Sequence, residues 1–493
     1  MGKAWDNCLS SLVAVPVQAR AILRRAVTGR LSISDDSITR GPVNRDVNGH
    51  IMNGDDEFRP LIGHRRSASQ SKFRHFLLNP TSTPGTDNPN FLVRWPAQAW
   101  NVTKVTLLSS WINVLLIFVP LGILSAKLSW GAPAVFTLNF FAIIPLAAVL
   151  SFATEEIAAR LGETLGGLVN ATFGNAVELI VSIVALRAGE IEIVQASMLG
   201  SILSNLLLVL GMCFFLGGIY NMRRPNGDGR EQTFSSGTAQ TTCSLMTLAS
   251  ASLVLPAALA GVLDKADDKD KKEASILVLS RGTAIILLFL YVMYLYFALH
   301  THTKLFEPEA QNDSDSEGPD EEEHVPVLGP WSAAAVLVIT TLIISVNADY
   351  MVDSIDELVE QWHISKTFIG LILIPIVGNA AEHVTACVVA VKNKMDLAMG
   401  VAIGSSIQIA LLVTPALVML GWAIGEPMSL HFETFETVAF ALSVLVVTYT
   451  VQDGKSNYLE GAMLLGLYMI IALAFWASPA DTLDKAAKVI LSN

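Results

Sequence analysis

The chain has 493 residues, of which 52% are hydrophobic and only 15% are charged. Because soluble proteins carry about 25% charged residues, this composition excludes a wholly disordered chain and argues against a water-soluble multidomain enzyme. The formal net charge of −12 argues against a nucleic-acid partner, and four cysteines without a C-x-x-C pair make no disulfide framework. Recurrent apolar stretches of roughly 20 residues instead predict membrane-spanning helices.

Residues 1–100 differ from the rest of the chain. They contain 13 Lys and Arg against 8 Asp and Glu, with scattered Ser, Pro, Gly and Asn and no long apolar run. Such a composition is typical of disorder. We therefore expect a disordered basic tail over residues 1–100, and its positive charge favours the cytosolic side of a membrane.

From residue 105 onward, apolar segments follow one another closely. Because backbone polar groups must be satisfied inside lipid, we expect helices and predict an all-α polytopic membrane protein. Basic residues in the N-terminal tail, the 220–238 loop and the 392–395 turn mark one side as cytosolic, so that eleven spans place the 478–493 tail on the other side. The expected spans are 105–126, 132–153, 164–188, 193–219, 239–262, 275–299, 330–349, 367–391, 396–420, 432–451 and 458–477.

A strongly acidic segment lies between the sixth and seventh expected spans, in the loop 300–329. Residues 307–323 contain nine acidic residues and no basic one. A solvated linker and a cation-attracting or regulatory segment explain such a run equally well. The predicted topology places this acidic loop on the cytosolic side.

The chain contains an internal repeat with an offset of 204 residues. Gly-Asn-Ala-Val-Glu at 174–178 returns as Gly-Asn-Ala-Ala-Glu at 378–382, and Gly-Ser at 200–201 returns at 404–405. Five spans separate the equivalent helices, and because five is odd, the two copies face opposite ways across the membrane. Inverted repeats of this kind place the substrate site near the bilayer midplane. The predicted architecture is an extra N-terminal helix at 105–126 followed by two inverted five-helix repeats at 132–299 and 330–477.

The repeat places one acid of each copy, Glu178 and Glu382, within a long apolar segment. A charged carboxylate at the bilayer centre costs about 2.5–3.5 kcal/mol on insertion scales. Burial favours the protonated carboxyl group, whereas a bound cation favours the carboxylate. The pair is therefore expected to hold either protons or a cation, and this mutual exclusion is what proton–cation exchange requires.

Asn175 and Asn379 precede these two acids by three positions, which puts amide and carboxylate on the same face of each helix. The two copies together supply four hard oxygen donors. Ca²⁺ takes six to eight oxygen ligands, and Mn²⁺ also accepts oxygen, so the sequence leaves the choice of cargo between them open. We expect Gly174 and Gly378 to break their helices and free backbone carbonyls.

Two further groups of polar residues flank the predicted site. Four residues of the Gly-Ser motifs are expected either to contact the cation along its path or to form polar contacts between helices. Two acids at the end of the second span are expected either to form a cytosolic entrance for cations or to be an ordinary acidic helix end. The first group is Ser201, Ser204, Ser405 and Gln408, and the second is Glu155 and Glu156.

Residues 162–178 and the motif Gly-Asn-Ala-Ala-Glu-His at 378–383 resemble the two repeats of the cation/proton exchanger family, which belongs to the calcium/cation antiporter superfamily. The likeness is greatest to fungal vacuolar Ca²⁺/H⁺ exchangers and covers about residues 100–480. It implies a ten-helix core after one extra helix, and Ca²⁺ uptake into an acidic vacuole driven by protons. It also implies that Glu178 and Glu382 are the central carboxylates. With the orientation that the basic residues predict, the N-terminus lies in the cytosol and the C-terminus in the vacuolar lumen.

We therefore expect a transporter rather than an enzyme, without a cofactor, surrounded by membrane lipid, with Ca²⁺ and protons as transported ions. The alternatives are a Mn²⁺-preferring exchanger and a Na⁺- or K⁺-coupled Ca²⁺ exchanger. A cation channel is a weaker alternative because channels more often form a ring of identical subunits, whereas this chain carries its own two-fold repeat. An intramembrane protease is disfavoured because the chain has no H-E-x-x-H motif. The sequence leaves homo-oligomerisation open.

Overall fold

The computed structural model describes residues 83, 86, 88–222, 229–263, 269–303 and 326–477. Most of the predicted tail, the acidic segment 307–323 and the C-terminal tail 478–493 lie outside these ranges. The helices, in chain order, are α1 (Phe91–Leu108), α2 (Trp111–Lys127), α3 (Ala132–Phe173), α4 (Ala176–Arg187), α5 (Ile191–Asn221), α6 (Ser236–Leu263), α7 (Lys269–Tyr296), α8 (Pro330–Asp353), α9 (Ile355–Trp362), α10 (Lys366–Gly378), α11 (Ala380–Val391), α12 (Met395–Ile424), α13 (Thr434–Thr450) and α14 (Tyr458–Ala477). A short antiparallel pair joins β1 (Gln232–Thr233) to β2 (Lys455–Ser456).

The N-terminal part of the fold differs from the prediction. Helix α1 begins at Phe91, so the last ten residues of the predicted disordered tail are helical. The single span expected at 105–126 is a pair of helices, α1 and α2, that meet at an angle of 109°. Ser110 makes this bend because its backbone is extended (φ −140°, ψ 146°) and its side chain accepts a hydrogen bond from the backbone N–H of Ile112, which caps α2.

Helix α3 also differs from the prediction, since it runs through the loop expected between the second and third spans. Its only break in helical backbone geometry is at Gly162, where φ is 78° and ψ is 173°. A positive φ of this kind is readily adopted only by glycine. A single residue therefore takes the place of the expected connecting loop.

The described residues confirm an all-α polytopic membrane protein. Seven helices are long and apolar enough to span a membrane, and the bent pairs α1–α2 and α9–α10 raise this number to nine. Helices α11 and α13 are also apolar but shorter. The figure of eleven spans stays a prediction.

The internal repeat is visible in the backbone as well as in the sequence. Helix α5 contains a π-helical segment at Ser204–Val209, and α12 contains one at Ile409–Val413. At the offset of 204 residues the first segment maps to 408–413, so the two segments end at equivalent positions and differ by one residue at their start. Gly189 and Asn393, also equivalent, both adopt a positive φ just before α5 and α12.

Helices α3, α5 and α12 form the centre of the protein. The apolar window of α5 is 72% buried and those of α3 and α12 are 56% buried, against 28% for α7 and α14. The outer helices therefore present apolar faces outward, as expected for contact with lipid. This arrangement places the Gly-Ser motifs of both repeats in the interior.

Candidate functional site

Glu178 and Glu382 each lie in the first turn of a helix that follows a break in the chain. The break falls at the neighbouring asparagine rather than at the predicted glycine. Gly174 keeps helical angles (φ −56°, ψ −43°), whereas Asn175 has φ −100° and ψ 29°. Asn379 likewise has φ −87° and ψ 7°, and Gly378 is the last residue of α10. These angles lie in the sparsely populated bridge region, where functional residues are often found.

The asparagines and the Gly-Ser motifs meet between the two repeats. Ser405 Oγ donates a hydrogen bond to Asn175 Oδ1 at 2.7 Å, and Asn175 Nδ2 donates to Gln408 Oε1 at 2.6 Å. In the reverse direction, Asn379 Nδ2 lies 3.5 Å from the backbone carbonyl oxygen of Ser201. Each predicted asparagine thus contacts the Gly-Ser motif of the other repeat.

The carboxyl group of Glu178 is enclosed, with only 6% of the residue exposed. It borders a cavity of about 10 Å³ together with Ser182, Ser197 and Ser201. A Cβ atom on Gly378 would lie only 2.6 Å from Glu178 Oε1. The side chain of Glu178, in the first repeat, therefore lies directly against the end of α10 in the second repeat.

Glu382 lines a much larger cavity of about 270 Å³. Glu155, Asn170 and Gln408 also line this cavity. Glu155 is exposed, and its Oε1 accepts a hydrogen bond from Ser151 Oγ at 3.3 Å. Glu382 can therefore be reached from the end of the protein that carries Glu155.

Glu156 is expected at the entrance together with Glu155, but it does not line this cavity. It is fully buried, and its carboxylate accepts hydrogen bonds from the backbone N–H groups of Val327 at 3.2 Å and Leu328 at 2.6 Å. Consecutive helical residues point about 100° apart, so only one of the two acids can face the cavity. Glu156 instead fixes the segment that leads into α8.

Several buried oxygen atoms around the two acids have no hydrogen-bond partner in the structure. Because buried polar atoms are normally hydrogen-bonded, this set indicates a site shaped for a ligand with positive charge or protons. The atoms are Asn379 Oδ1, Glu382 Oε2, Ser201 Oγ, Ser182 Oγ and Asn205 Oδ1.

These oxygen atoms are hard donors of the kind that Ca²⁺ prefers. Within the part of the chain that the structure describes, no group of three or more His, Cys, Asp and Glu could hold a metal ion. A cation here would therefore be held by the two carboxylates together with amide and hydroxyl oxygens.

Two further polar residues lie at the site: Asn205, which is not among the predicted residues, and His383. Asn205 is fully buried and donates from Nδ2 to Ser405 Oγ at 2.9 Å. The repeat conceals it because Ile409 stands at the equivalent position, although a polar residue inside an apolar span is itself a signal of function. His383 Nε2 lies 3.2 Å from Ser204 Oγ, so Ser204 contacts this histidine.

A protein-family model described as sodium/calcium exchanger protein matches residues 131–300 and 332–477. The chain belongs to this family. The resemblance to cation/proton exchangers is confirmed by the relatives, and the division into two five-helix repeats at 132–299 and 330–477 stays a prediction.

A vacuolar calcium ion transporter of Schizosaccharomyces pombe is 49% identical over 378 residues, which is 77% of this chain and 87% of that protein. A Ca²⁺/H⁺ antiporter of Aphanothece halophytica is 42% identical over 370 residues, covering 74% of this chain and 96% of the relative.

Solved structures show the same fold. The structure of native YfkE matches with a TM-score of 0.61 and 35% identity, covering 74% of this chain and all of that chain (100%). A crystal structure described as H⁺/Ca²⁺ exchanger CAX matches with a TM-score of 0.54, over 77% of this chain and 91% of that chain. At 14% identity, the second likeness concerns the fold alone.

Proposed function

We propose that this protein is a Ca²⁺/H⁺ antiporter of the vacuolar membrane, which moves Ca²⁺ into the lumen while protons leave it. The observation that carries the proposal is that Asn175 and Asn379, each three residues before one of the two acids, contact the Gly-Ser motif of the other repeat. The side chain of Glu178 also lies against Gly378, four residues before Glu382. The names of the S. pombe and A. halophytica relatives support the same cargo. The protein is a transporter, and its ions are substrates rather than cofactors.

The two carboxylates alternate between protons and Ca²⁺. One Ca²⁺ or two protons neutralise the pair, and uncompensated charge inside the membrane is unfavourable. In the conformation described here, ions reach Glu382 through the cavity beside Glu155, while the region around Glu178 is closed. Transport requires a second conformation in which the closed end opens and the cavity beside Glu155 closes.

The proposed topology places the N-terminus and the cavity beside Glu155 in the cytosol, and the C-terminus in the lumen. The basic residues Arg230, Lys392 and Lys394 support this orientation, because cytosolic loops carry an excess of Lys and Arg. Ca²⁺ then enters from the cytosol beside Glu155, and the conformation described here is the one that receives it.

A Na⁺- or K⁺-coupled Ca²⁺ exchanger is the second candidate, because the family description names sodium as well as calcium. Mn²⁺ is the alternative cargo, since the same oxygen donors suit it. A cation channel is disfavoured by the small size of the cavity beside Glu178, about 10 Å³ against about 270 Å³ beside Glu382.

The experiment that tests the proposal is uptake of ⁴⁵Ca²⁺ into acid-loaded vesicles that contain the protein. Uptake is expected to require the pH gradient and to disappear when a protonophore collapses it. Uptake that persists with the protonophore and follows a Na⁺ or K⁺ gradient would instead establish the second candidate. Excess Mn²⁺ in parallel samples measures whether Mn²⁺ competes as cargo.

A further inference from the structure

The end of the protein at which α5 and α10 begin is tightly closed. A Cβ atom on Gly200 of α5 would lie 2.1 Å from the carbonyl oxygen of Leu371 in α10. One turn away, a Cβ on Gly370 would lie 2.7 Å from Ala196 Cβ. The two helices therefore pack closely, and residues of both, Ser201 of α5 and Ile374 of α10, line the small cavity beside Glu178.

At the other end of the protein, the residues that the repeat relates to Gly200 and Ala196 have open space around them. Gly404 of α12 is equivalent to Gly200, and a Cβ atom on it would meet nothing within 4 Å. The same is true of Gly400, which lines the cavity beside Glu382. The two ends thus have the same backbone elements in different arrangements, one closed and one open.

Next to these glycine contacts, an ion pair connects the start of α10 with the start of α5. Lys366, the first residue of α10, places Nζ 2.9 Å from Glu190 Oε2 and 2.5 Å from Asp356 Oδ1. Beside it, Thr367 Oγ1 donates to Glu192 Oε1 at 3.0 Å. The side chains of Lys366 and Glu190 are 28% and 23% exposed, so solvent screens this pair less than a fully exposed one. Helix α10 is thereby tied both to the start of α5 and to α9.

The other repeat cannot form this contact. The offset of 204 residues places Gly162 at the position of Lys366 and Lys394 at the position of Glu190. The alignment is secure here because Glu190 and Lys394 both immediately precede the first residue of their helices. A glycine and an exposed lysine make no ion pair. The two ends therefore differ in sequence as well as in conformation.

We propose that Lys366, together with Glu190 and Asp356, is a charge latch that holds the α5–α10 end closed. The latch biases the protein toward the conformation in which Glu382 faces the cavity beside Glu155. It touches neither Glu178 nor Glu382, so Lys366 acts as a positioning residue through the packing of α10 on α5. The inference rests on the proposed function, because a closed end has this meaning only in a transporter whose two ends open in turn.

A reporter cysteine at the closed end tests the latch. Ser197 borders the small cavity beside Glu178 and is only 3% exposed. Ser197→Cys is introduced into the full chain with Cys8, Cys213, Cys243 and Cys387 replaced by serine, and the protein is purified in detergent without Ca²⁺. The measurement is the rate at which a charged methanethiosulfonate reagent modifies this cysteine, which reports opening of the α5–α10 end.

Lys366→Met is expected to speed the modification about fivefold, the effect of losing a surface-type ion pair of about 1 kcal/mol. Lys366→Arg keeps the charge and is expected to react as slowly as the parent. The matched control is Lys455→Met, which removes the ion pair between Lys455 and Glu231 (3.3 Å) away from the closed end and is expected to change nothing.

An unchanged rate in Lys366→Met, or an equal acceleration in Lys366→Arg, would overturn the charge latch. If Lys366→Met does not yield folded protein, Glu190→Gln removes the ion pair between α10 and α5 with little change of shape. It is expected to speed the modification by the same factor. The readout requires no transported ion, so a latch that fails here leaves the antiport proposal untouched. Conversely, a failed ⁴⁵Ca²⁺ uptake experiment would not change the modification rates.

Discussion

Replacing Glu178 or Glu382 with glutamine is expected to lower proton-driven Ca²⁺ uptake about 100-fold or more. Glutamine cannot release a proton, and it removes one of the two negative charges that neutralise Ca²⁺. Leaving a buried charge without its partner costs about 3–5 kcal/mol, and every 1.4 kcal/mol is about tenfold in an equilibrium constant. The measurement is the initial rate of ⁴⁵Ca²⁺ uptake into acid-loaded vesicles, normalised to the amount of protein in the membrane.

Glu436 provides a matched control for these two variants. It is also buried, 3% exposed, but it lies in the first turn of α13, where it accepts a hydrogen bond from the backbone N–H of Glu433. Glu436→Gln keeps an oxygen acceptor at this place and is expected to retain most of the uptake. Wild-type rates in either Glu178→Gln or Glu382→Gln, with the protein in the membrane, would contradict the assignment of the site.

The second large effect is expected for Gly200→Ala. Its Cβ atom would lie 2.1 Å from the carbonyl oxygen of Leu371, and a backbone atom cannot move aside as a flexible side chain can. Overpacking of this kind costs about 1–3 kcal/mol, and that energy shifts an equilibrium about 5–150-fold. With the Ser197→Cys reporter in detergent, the modification rate of the closed end is expected to rise by a factor in this range.

Gly404→Ala is the control for this variant, because it is the repeat-related glycine and has open space around its Cβ position. It is expected to leave the reporter at Ser197→Cys as protected as in the parent. If both alanine variants speed the modification of the reporter equally, the tight packing at Gly200 would not be what keeps the α5–α10 end closed.

The sequence predicts the repeat and its acids well, and the backbone breaks less well. Two identical spacings, Gly-Asn to Gly-Ser, place Glu178 and Glu382 in equivalent helices. The bend between α1 and α2 and the single-residue break at Gly162 do not follow from the sequence pattern. Both depend on backbone angles at one position, Ser110 and Gly162, to which hydropathy over a window of twenty residues is insensitive.

The residues of the site likewise depend on local geometry that the sequence pattern does not reveal. Glu155 and Glu156 are equivalent by composition and position, and only the rotation of α3 decides that one lines the cavity and the other binds the backbone before α8. The repeat does not reveal Asn205, because Ile409 stands at the equivalent position of the second repeat. Which end of the protein is closed does not follow from the repeat either, since the repeat is symmetric and only residues that break it, such as Lys366, distinguish the ends.

The most direct test of the central claim is proton movement driven by Ca²⁺ alone. Vesicles that contain the protein and a trapped pH-sensitive dye start without a pH gradient and receive external Ca²⁺. If two carboxylates exchange protons for Ca²⁺, the vesicle lumen must become alkaline as Ca²⁺ enters, and the change must be absent in Glu178→Gln and Glu382→Gln. Entry of Ca²⁺ through the wild-type protein without any change of luminal pH would contradict the account.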